Sequence, residues 1–419
     1  MITISIIIII LFMFIGAPLF IIISASTLVA FNQNDFFNPS IFLEILRLAD
    51  SPTLIAIPLF TFAGFILSAS NAPTRIVDLS NAFLGWLPGG LAIVAVISCA
   101  LLTAFTGASG VTIIALGSLL LPTLLKRGYN MNFSCGLLTT SGSRGLLFPP
   151  SLPLILYAVI TKNNIDQLFK ACLIPGLLGI FALIGYSIYC GRKIPVNDYD
   201  FSSENLFKIL LKSWHEIPLP FIVIGGIYSG LFGVTEAACV AVLYCLIVEV
   251  LILKEIDFKR QLPKIMNDSM VLVGSILIIL GCALAFTSFL VDNQIPMKIL
   301  DWMKTYISSK IVFLLILNIF LLIVGCMMDI FSAIIIVVPL IYPIATELGI
   351  NPFHLGVIFL TNLEIGYSTP PVGLNLFIAT KTFNKPIIDI YKSTIPFLII
   401  MLFILILVTF FPVLSTILI

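Results

Sequence analysis

Three ionisable side chains stand where a charge is hard to hold. Arg144, Asp329 and Glu364 lie in or beside long apolar runs. In such surroundings a charge is costly and normally faces a cavity, a pathway or a partner charge. Arg144 closes Thr139-Thr140-Ser141-Gly142-Ser143-Arg144-Gly145, which leads into Phe148-Pro149-Pro150-Ser151. Glu364 lies in Asn362-Leu363-Glu364-Ile365-Gly366, which leads into Thr369-Pro370-Pro371-Val372-Gly373-Leu374-Asn375. A diproline cannot sit inside a continuous helix, because two donors are missing and the rings clash with the preceding turn. The carbonyls freed by each break suit a hard cation such as sodium, and the N-termini of the half-helices that follow suit an anion. Two readings of the charges stay open. One is a buried ion-pair network that holds the broken segments. The other has Arg144 meeting a substrate carboxylate with its planar, bidentate guanidinium.

Two further segments are rich in small and polar residues, Thr106-Gly107-Ala108-Ser109-Gly110 and Gly325-Cys326-Met327-Met328-Asp329. Both suit the tip of a hairpin that turns back inside a membrane. Backbone at that depth must line a cavity or be buried in protein. A kinked, tightly packed helix is the alternative for the first segment, since small residues also favour helix contacts. Asp329, at the second tip, is the best single candidate for function. The polar side chains offered to a substrate are therefore Arg144, Ser109, Asp329, Asn362, Glu364 and Asn375.

These segments need elements to carry them. The chain has 419 residues, 60% hydrophobic and 10% charged, against roughly 25% charged in a soluble domain. Ile2 to Phe31, Phe83 to Leu125 and Ile311 to Met328 carry no charge. About 20 apolar residues cross the hydrocarbon core as a helix, and the short alternating segments of a barrel are absent. The pattern predicts an all-α polytopic membrane protein, with helices over 2–31, 53–70, 83–105, 111–125, 133–161, 171–190, 217–232, 234–253, 270–291, 311–324, 330–346, 354–380 and 395–418. The helices over 133–161 and 354–380 are interrupted. The first run reads as a retained helix, since it is too long for a signal peptide and no cleavage site follows it.

The chain also repeats itself. At an offset of 221, positions 122 to 175 match the second half at 12 of 54 residues, including Pro122/Pro343, Gly128/Gly349, Asn130/Asn351, Gly145/Gly366, both prolines of each pair and Pro175/Pro396. Proline and glycine fix backbone shape, so this is an internal repeat. With 83–125 and 311–346 as re-entrant hairpins and the polar linker 191–216 in the cytoplasm, Lys and Arg sort 14 to 6 in favour of that side, as the positive-inside rule requires. The first hairpin then enters from the cytoplasm and the second from outside. The repeats are inverted, with the N-terminus inside and the C-terminus outside, an architecture of secondary transporters. The expected division is 1–82 as N-terminal scaffold, 83–190 as the first repeat core, 191–269 as linker and central scaffold helices, and 270–419 as the second repeat.

Other features carry no chemistry. Eight cysteines are scattered singly without metal-ligand spacing, and read as small core residues. His215 and His354 read as interface-level side chains. A net charge of +1 gives no case for nucleic acid. Glu236 after Thr235 reads as a helix cap, and Glu249 reads as a side chain that snorkels outward from a cytoplasmic helix end. No metal or nucleophile constellation suggests an enzyme. Broken helices also line channels, so a channel or a stand-alone carboxylate carrier remain the alternatives.

Pro88-Gly89-Gly90-Leu91-Ala92, Phe105 to Gly110, Phe148 to Pro153, Gly233-Val234-Thr235-Glu236-Ala237-Ala238 and Thr369 to Phe377 follow one another with the order and spacing seen in the large membrane subunit of tripartite ATP-independent periplasmic (TRAP) transporters. The chain resembles that family over nearly its whole length. The resemblance implies an elevator-type mechanism in a bacterial inner membrane, with sodium as the coupling ion and no resident cofactor. It implies an organic-acid substrate, a periplasmic binding protein that delivers it, and a separate small four-helix membrane subunit. It also implies sodium ligands at Ser109, Ser141, Ser143 and Pro149 in the first half, and at Gly325, Asp329, Thr369 and Gly373 in the second. Many of these would act through their carbonyls. The family commonly has an apolar residue where this chain has Arg144, which points to a distinct substrate or an altered sodium site.

Overall fold

A computed structural model describes residues 19–33, 43, 46, 52–192, 209–211, 213–294, 297–298 and 309–419. Among these there is no strand, and seven helices are long and apolar enough to cross a membrane, or up to nine if each bent pair is one span. The expected helix over 2–31 is described only as α1, Leu19–Gln33, and most of the linker lies outside the described residues. α2 (Ala56–Ala69) is followed by α3 (Ala72–Leu84) across a 75° bend. The sequence reading missed α3 altogether. Pro73 sits in its first turn, where the missing N–H costs nothing.

The first repeat consists of α4 (Gly90–Thr106), α5 (Ser109–Lys126), α6 (Met131–Ser141), α7 (Leu152–Thr161) and α8 (Ile165–Gly191). Between the repeats lie α9 (Pro218–Tyr228), α10 (Val234–Cys245), a π-helical continuation (Leu246–Ile252) and the long α11 (Gln261–Asp292). The second repeat consists of α12 (Lys310–Met327), α13 (Ile330–Glu347), α14 (Pro352–Gly366), α15 (Leu374–Phe383) and α16 (Ile387–Phe410). A short helix, α17 (Val413–Thr416), ends the chain.

The two repeats match in backbone as well as in sequence. Asn130 and Asn351 both cap the helix that follows, each side chain accepting from the N–H two residues on. Gly128 and Gly349 both take positive φ, and both diprolines contain a cis peptide. Packing is reciprocal as well: α5 lies on α15 and α13 on α7, while α6 lies on α16 and α14 on α8. Such exchange is what a pseudo-twofold axis produces.

The same contacts fix the direction of each hairpin. A short loop joins the end of α5 to the start of α6. α13 ends beside the end of α7, where Tyr342 Oη lies 3.4 Å from Asn163 Oδ1. α6 with its helical extension and α7 bend by only 42°, so the start of α6 and the end of α7 lie at opposite ends of one broken span. The hairpins α4–α5 and α12–α13 therefore enter from opposite faces, which makes the repeats inverted.

α1, α2, α10 and α11 pack together beside the repeats. Here one expectation fails. Glu249 does not snorkel: it is 1% exposed, with Oε1 2.5 Å from Arg75 Nη2. The same guanidinium holds Glu216 at 2.7 Å and Glu255 at 2.5 Å. Arg75 is the buried hub that ties α3 to the end of α10. Burial pushes the Glu255 carboxyl up, but Arg75 and the Asn71 backbone N–H outweigh it and hold it below the ordinary carboxylate range. Glu236 does cap α10, accepting from Gly233 N at 2.9 Å. His354 is buried, with Nδ1 3.1 Å from Ser415 Oγ.

Candidate substrate and ion site

Each hairpin turns at its predicted tip, the first on a glycine and the second on a capping aspartate. α4 ends at Gly107, φ +63°, a conformation that glycine adopts without the steric cost of a side chain. A Cβ there would lie 2.7 Å from Leu152 Cγ. The second tip is closed by Asp329, whose Oδ1 accepts from Phe331 N and Ser332 N at 3.0 Å each, while Oδ2 accepts from the Ser332 hydroxyl. This is an N-cap for α13.

Each first arm lies hard against the break of its own repeat. A Cβ on Gly145 would fall 2.3 Å from Ala100 O and 2.4 Å from Ala104 N, both in α4. A Cβ on Gly366, the repeat-equivalent position, would fall 2.5 Å from Gly325 C in α12. Only glycine permits this approach. At the first break the Thr103 hydroxyl donates to Gly142 O at 2.8 Å, and Ser151 Oγ to Leu146 O at 2.7 Å. At the second, Gly373 N donates to Cys326 O at 2.9 Å and the Ile330 N–H to the Tyr367 hydroxyl.

The two tips share one cavity of about 450 Å³. Residues 107–111 line it from the first hairpin and 329–332 from the second, with Leu146, Tyr367 and Leu374 from the breaks. The N-termini of α5, α13 and α15 thus converge on a single space. N-termini carry partial positive charge and free N–H groups, and so favour an anion. The opposite wall is Phe65 of α2 and Leu272, Ser275, Ile276 and Ile279 of α11. Sequence reading missed this wall, which carries no motif. The repeat pattern of polar tips held no clue to which scaffold helix would face them.

The candidate residues divide into two groups. Ser109, Asp329 and Asn375 gather at the tips: Ser109 and Asp329 line the cavity, and Ser109 Oγ donates to Asn375 Oδ1 at 2.7 Å, joining the first tip to the second break. Arg144, Glu364 and Asn362 do not line that cavity. Arg144 Nε lies 2.9 Å from Glu364 Oε1, with the side chains 3% and 0% exposed, so the two charges form an ion pair deep in the protein. Asn362 Nδ2 donates to Asn318 Oδ1 at 2.6 Å.

Of the expected cation ligands, Ser141 and Ser143 are buried at the first break, where Ser143 Oγ donates to Thr140 O at 3.2 Å. Pro149 is buried too, next to its cis bond. Gly325 packs on Gly366, Thr369 Oγ1 donates to Ile365 O at 2.8 Å, and Gly373 takes φ +52°. Buried polar atoms are nearly always hydrogen-bonded, so the exceptions here are informative. Ser141 Oγ, Asn362 Oδ1, Ser368 Oγ and Asn375 Nδ2 are buried without a partner. Ser141 and Asn362 occupy equivalent positions of the two repeats, 221 apart. Among the described residues no group of three or more His, Cys, Asp or Glu side chains gathers for a metal ion, so a cation here would rest on hydroxyl, amide and carbonyl oxygens, the donor set of a hard ion.

Comparison with known proteins agrees with this architecture. The chain is 36% identical over 378 residues to the C4-dicarboxylate TRAP transporter large permease protein DctM of Pseudomonas aeruginosa, covering 90% of this chain and 88% of that one. It is 31% identical over 362 residues to the ectoine/5-hydroxyectoine TRAP transporter large permease protein UehC of Ruegeria pomeroyi, covering 86% and 84%. The crystal structure of the Alcanivorax borkumensis YdaH transporter matches with a TM-score of 0.60 at 15% identity over 86% of this chain and 84% of that one, which is a likeness of fold. Residues 6–414 match the model of the family described as tripartite ATP-independent periplasmic transporter, DctM component. The chain belongs to that family: it is a multi-pass membrane transporter subunit and not an enzyme.

Proposed function

We propose that the chain is the large permease of a TRAP system that drives uptake of an organic acid across the inner membrane with a sodium gradient. The observation that carries this reading is the meeting of two opposed hairpin tips at one cavity, beside breaks whose buried Ser141 and Asn362 oxygens have no partner. The cavity offers three helix N-termini to an anionic group. The breaks offer uncharged oxygens to a small hard cation. A C4-dicarboxylate is the first substrate to try, on the strength of the Pseudomonas aeruginosa relative's name. The α1, α2, α10 and α11 group would serve as the scaffold against which the two repeats move as an elevator. A small membrane subunit would complete the scaffold, and a periplasmic binding protein would deliver substrate to the outer face. The 14 to 6 bias of Lys and Arg favours a cytoplasmic N-terminus and a periplasmic C-terminus.

The test is reconstitution in proteoliposomes with the small subunit and the binding protein. An inward sodium gradient should drive accumulation of the labelled acid, and substitution of potassium for sodium should abolish it. Equal accumulation in potassium would reject the coupling. Uptake of free acid without the binding protein would reject the tripartite assignment.

A further inference from the structure

The Arg144–Glu364 pair lies apart from the cavity, and its place in the fold gives it another role. Arg144 opens the 3₁₀ turn of the first break, Arg144–Leu147. Glu364 lies in the last turn of α14, just before the second break. The two positions are 220 apart, one residue from the repeat offset of 221. The pair therefore joins nearly equivalent points and links break to break directly. Two further helices close over it. Arg144 Nη1 donates to Met401 Sδ of α16 at 3.1 Å, and Gly179 of α8 leaves room for the guanidinium, since a Cβ there would lie 3.2 Å from Nη1.

The energetics of this arrangement are one-sided. Arginine stays protonated in a protein, so its charge cannot be relieved by losing a proton. It stands three residues from the unpartnered Ser141 hydroxyl, and Glu364 stands two residues from the unpartnered Asn362 oxygen. An unbalanced positive charge there repels a cation at either break. An unbalanced carboxylate attracts one. Glu364 Oε1 is within ionic distance of Arg144, but neither Glu364 oxygen is aligned in a hydrogen bond, so charge balance is the main thing that each side chain gives the other.

We propose that Arg144 and Glu364 form a charge-balanced clasp between the two breaks, and that this clasp sets the sodium affinity of both. The proposal rests on the sodium-coupled reading above. Arg144 is a positioning residue and does not touch substrate.

The experiment measures the sodium concentration for half-maximal uptake in proteoliposomes containing the whole complex. It is paired with sodium-dependent thermal stabilisation of the purified protein. Glu364→Gln, which leaves the guanidinium unbalanced, should raise the half-maximal sodium concentration by at least about fivefold, and Arg144→Gln should lower it by a smaller factor, because a lone buried carboxyl can take up a proton. The neutral pair R144M/E364M should fold and stay within about threefold of wild type. A purely structural role would reduce the amount of folded protein in both single variants without opposite shifts in sodium dependence. Shifts in the same direction, or none, would overturn the clasp. Should a single variant not fold, the neutral pair decides alone, and a shift beyond about threefold overturns it. Wild-type uptake that ignores sodium would instead overturn the coupling itself, whatever the variants do.

Discussion

Replacing Gly366 with alanine tests the hairpin-on-break architecture most directly. The added Cβ would sit 2.5 Å from Gly325 C, 2.6 Å from Gly325 Cα and 2.9 Å from Cys326 N. All three are backbone atoms, so no side chain can swing aside. Ordinary contact needs about 3.4 Å or more, so the end of α12 must retreat by roughly 0.9 Å. Overpacking of this kind costs about 1–3 kcal/mol. The retreat also stretches the 2.9 Å bond from Gly373 N to Cys326 O, which contributes about 1 kcal/mol more. Together these reach about 2–4 kcal/mol, or roughly thirty- to a thousandfold if the strain falls on the competent state. Sodium-driven uptake by G366A should drop accordingly, with the protein still folded by size-exclusion chromatography. G145A should behave alike, because its Cβ meets Ala100 O at 2.3 Å. G325A should be milder, since its nearest contact would be 3.1 Å. G185A, with nothing within 4 Å, serves as the neutral control. Wild-type uptake by both G366A and G145A would refute the close packing of arm on break.

Other variants probe separate joints. Ser109→Ala removes the 2.7 Å bond to Asn375 Oδ1; since Asn375 Nδ2 has no partner already, the amide is left bare and substrate affinity should fall by about 1–2 kcal/mol in uptake assays. Asp329→Ala should cost about 1 kcal/mol of thermal stability through loss of the α13 cap, whereas Asp329→Asn keeps most of the cap, so any transport defect it shares with Asp329→Ala reports on the charge. Arg75→Ala strands Glu249 and Glu216 in the interior and should lower thermal stability in detergent by about 3 kcal/mol, an effect that Lys, with one nitrogen for three carboxylates, should not repair. Because the Glu255 carboxyl is held below its ordinary range in the folded chain, its stabilisation is present above the unfolded value of about 4.3 and is lost as pH falls through the folded value; thermal melts of Glu255→Gln should lose that part of the acid-side decline.

What could be read from the chain alone was whatever the backbone itself must obey. Pro149-Pro150 and Pro370-Pro371 announce breaks because a helix cannot pass through them. Gly107 and Asp329 announce tips because one permits a left-handed turn and the other caps the next helix. These are local rules, and the repeat doubled each signal. What escaped was set by partners far away in sequence. Glu249 looked like a snorkelling carboxylate because Arg75, 174 residues earlier, leaves no local sign of the pairing. α3 escaped because Arg75, Asp78, Ser80 and Asn81 break its apolar run, and only the buried hub shows why an arginine belongs there. Arg144 illustrates the limit best. Its type and setting suggested a substrate carboxylate or an ion pair with equal force, and nothing in Ser143-Arg144-Gly145 chooses between them. The choice comes from the twofold relation, which brings Glu364 to 2.9 Å. A guanidinium that already faces a buried carboxylate has little reason to capture a second one. In the transport cycle proposed above, recognition of an acid would fall to the convergent N-termini of α5, α13 and α15, and Arg144 would act on the coupling ion.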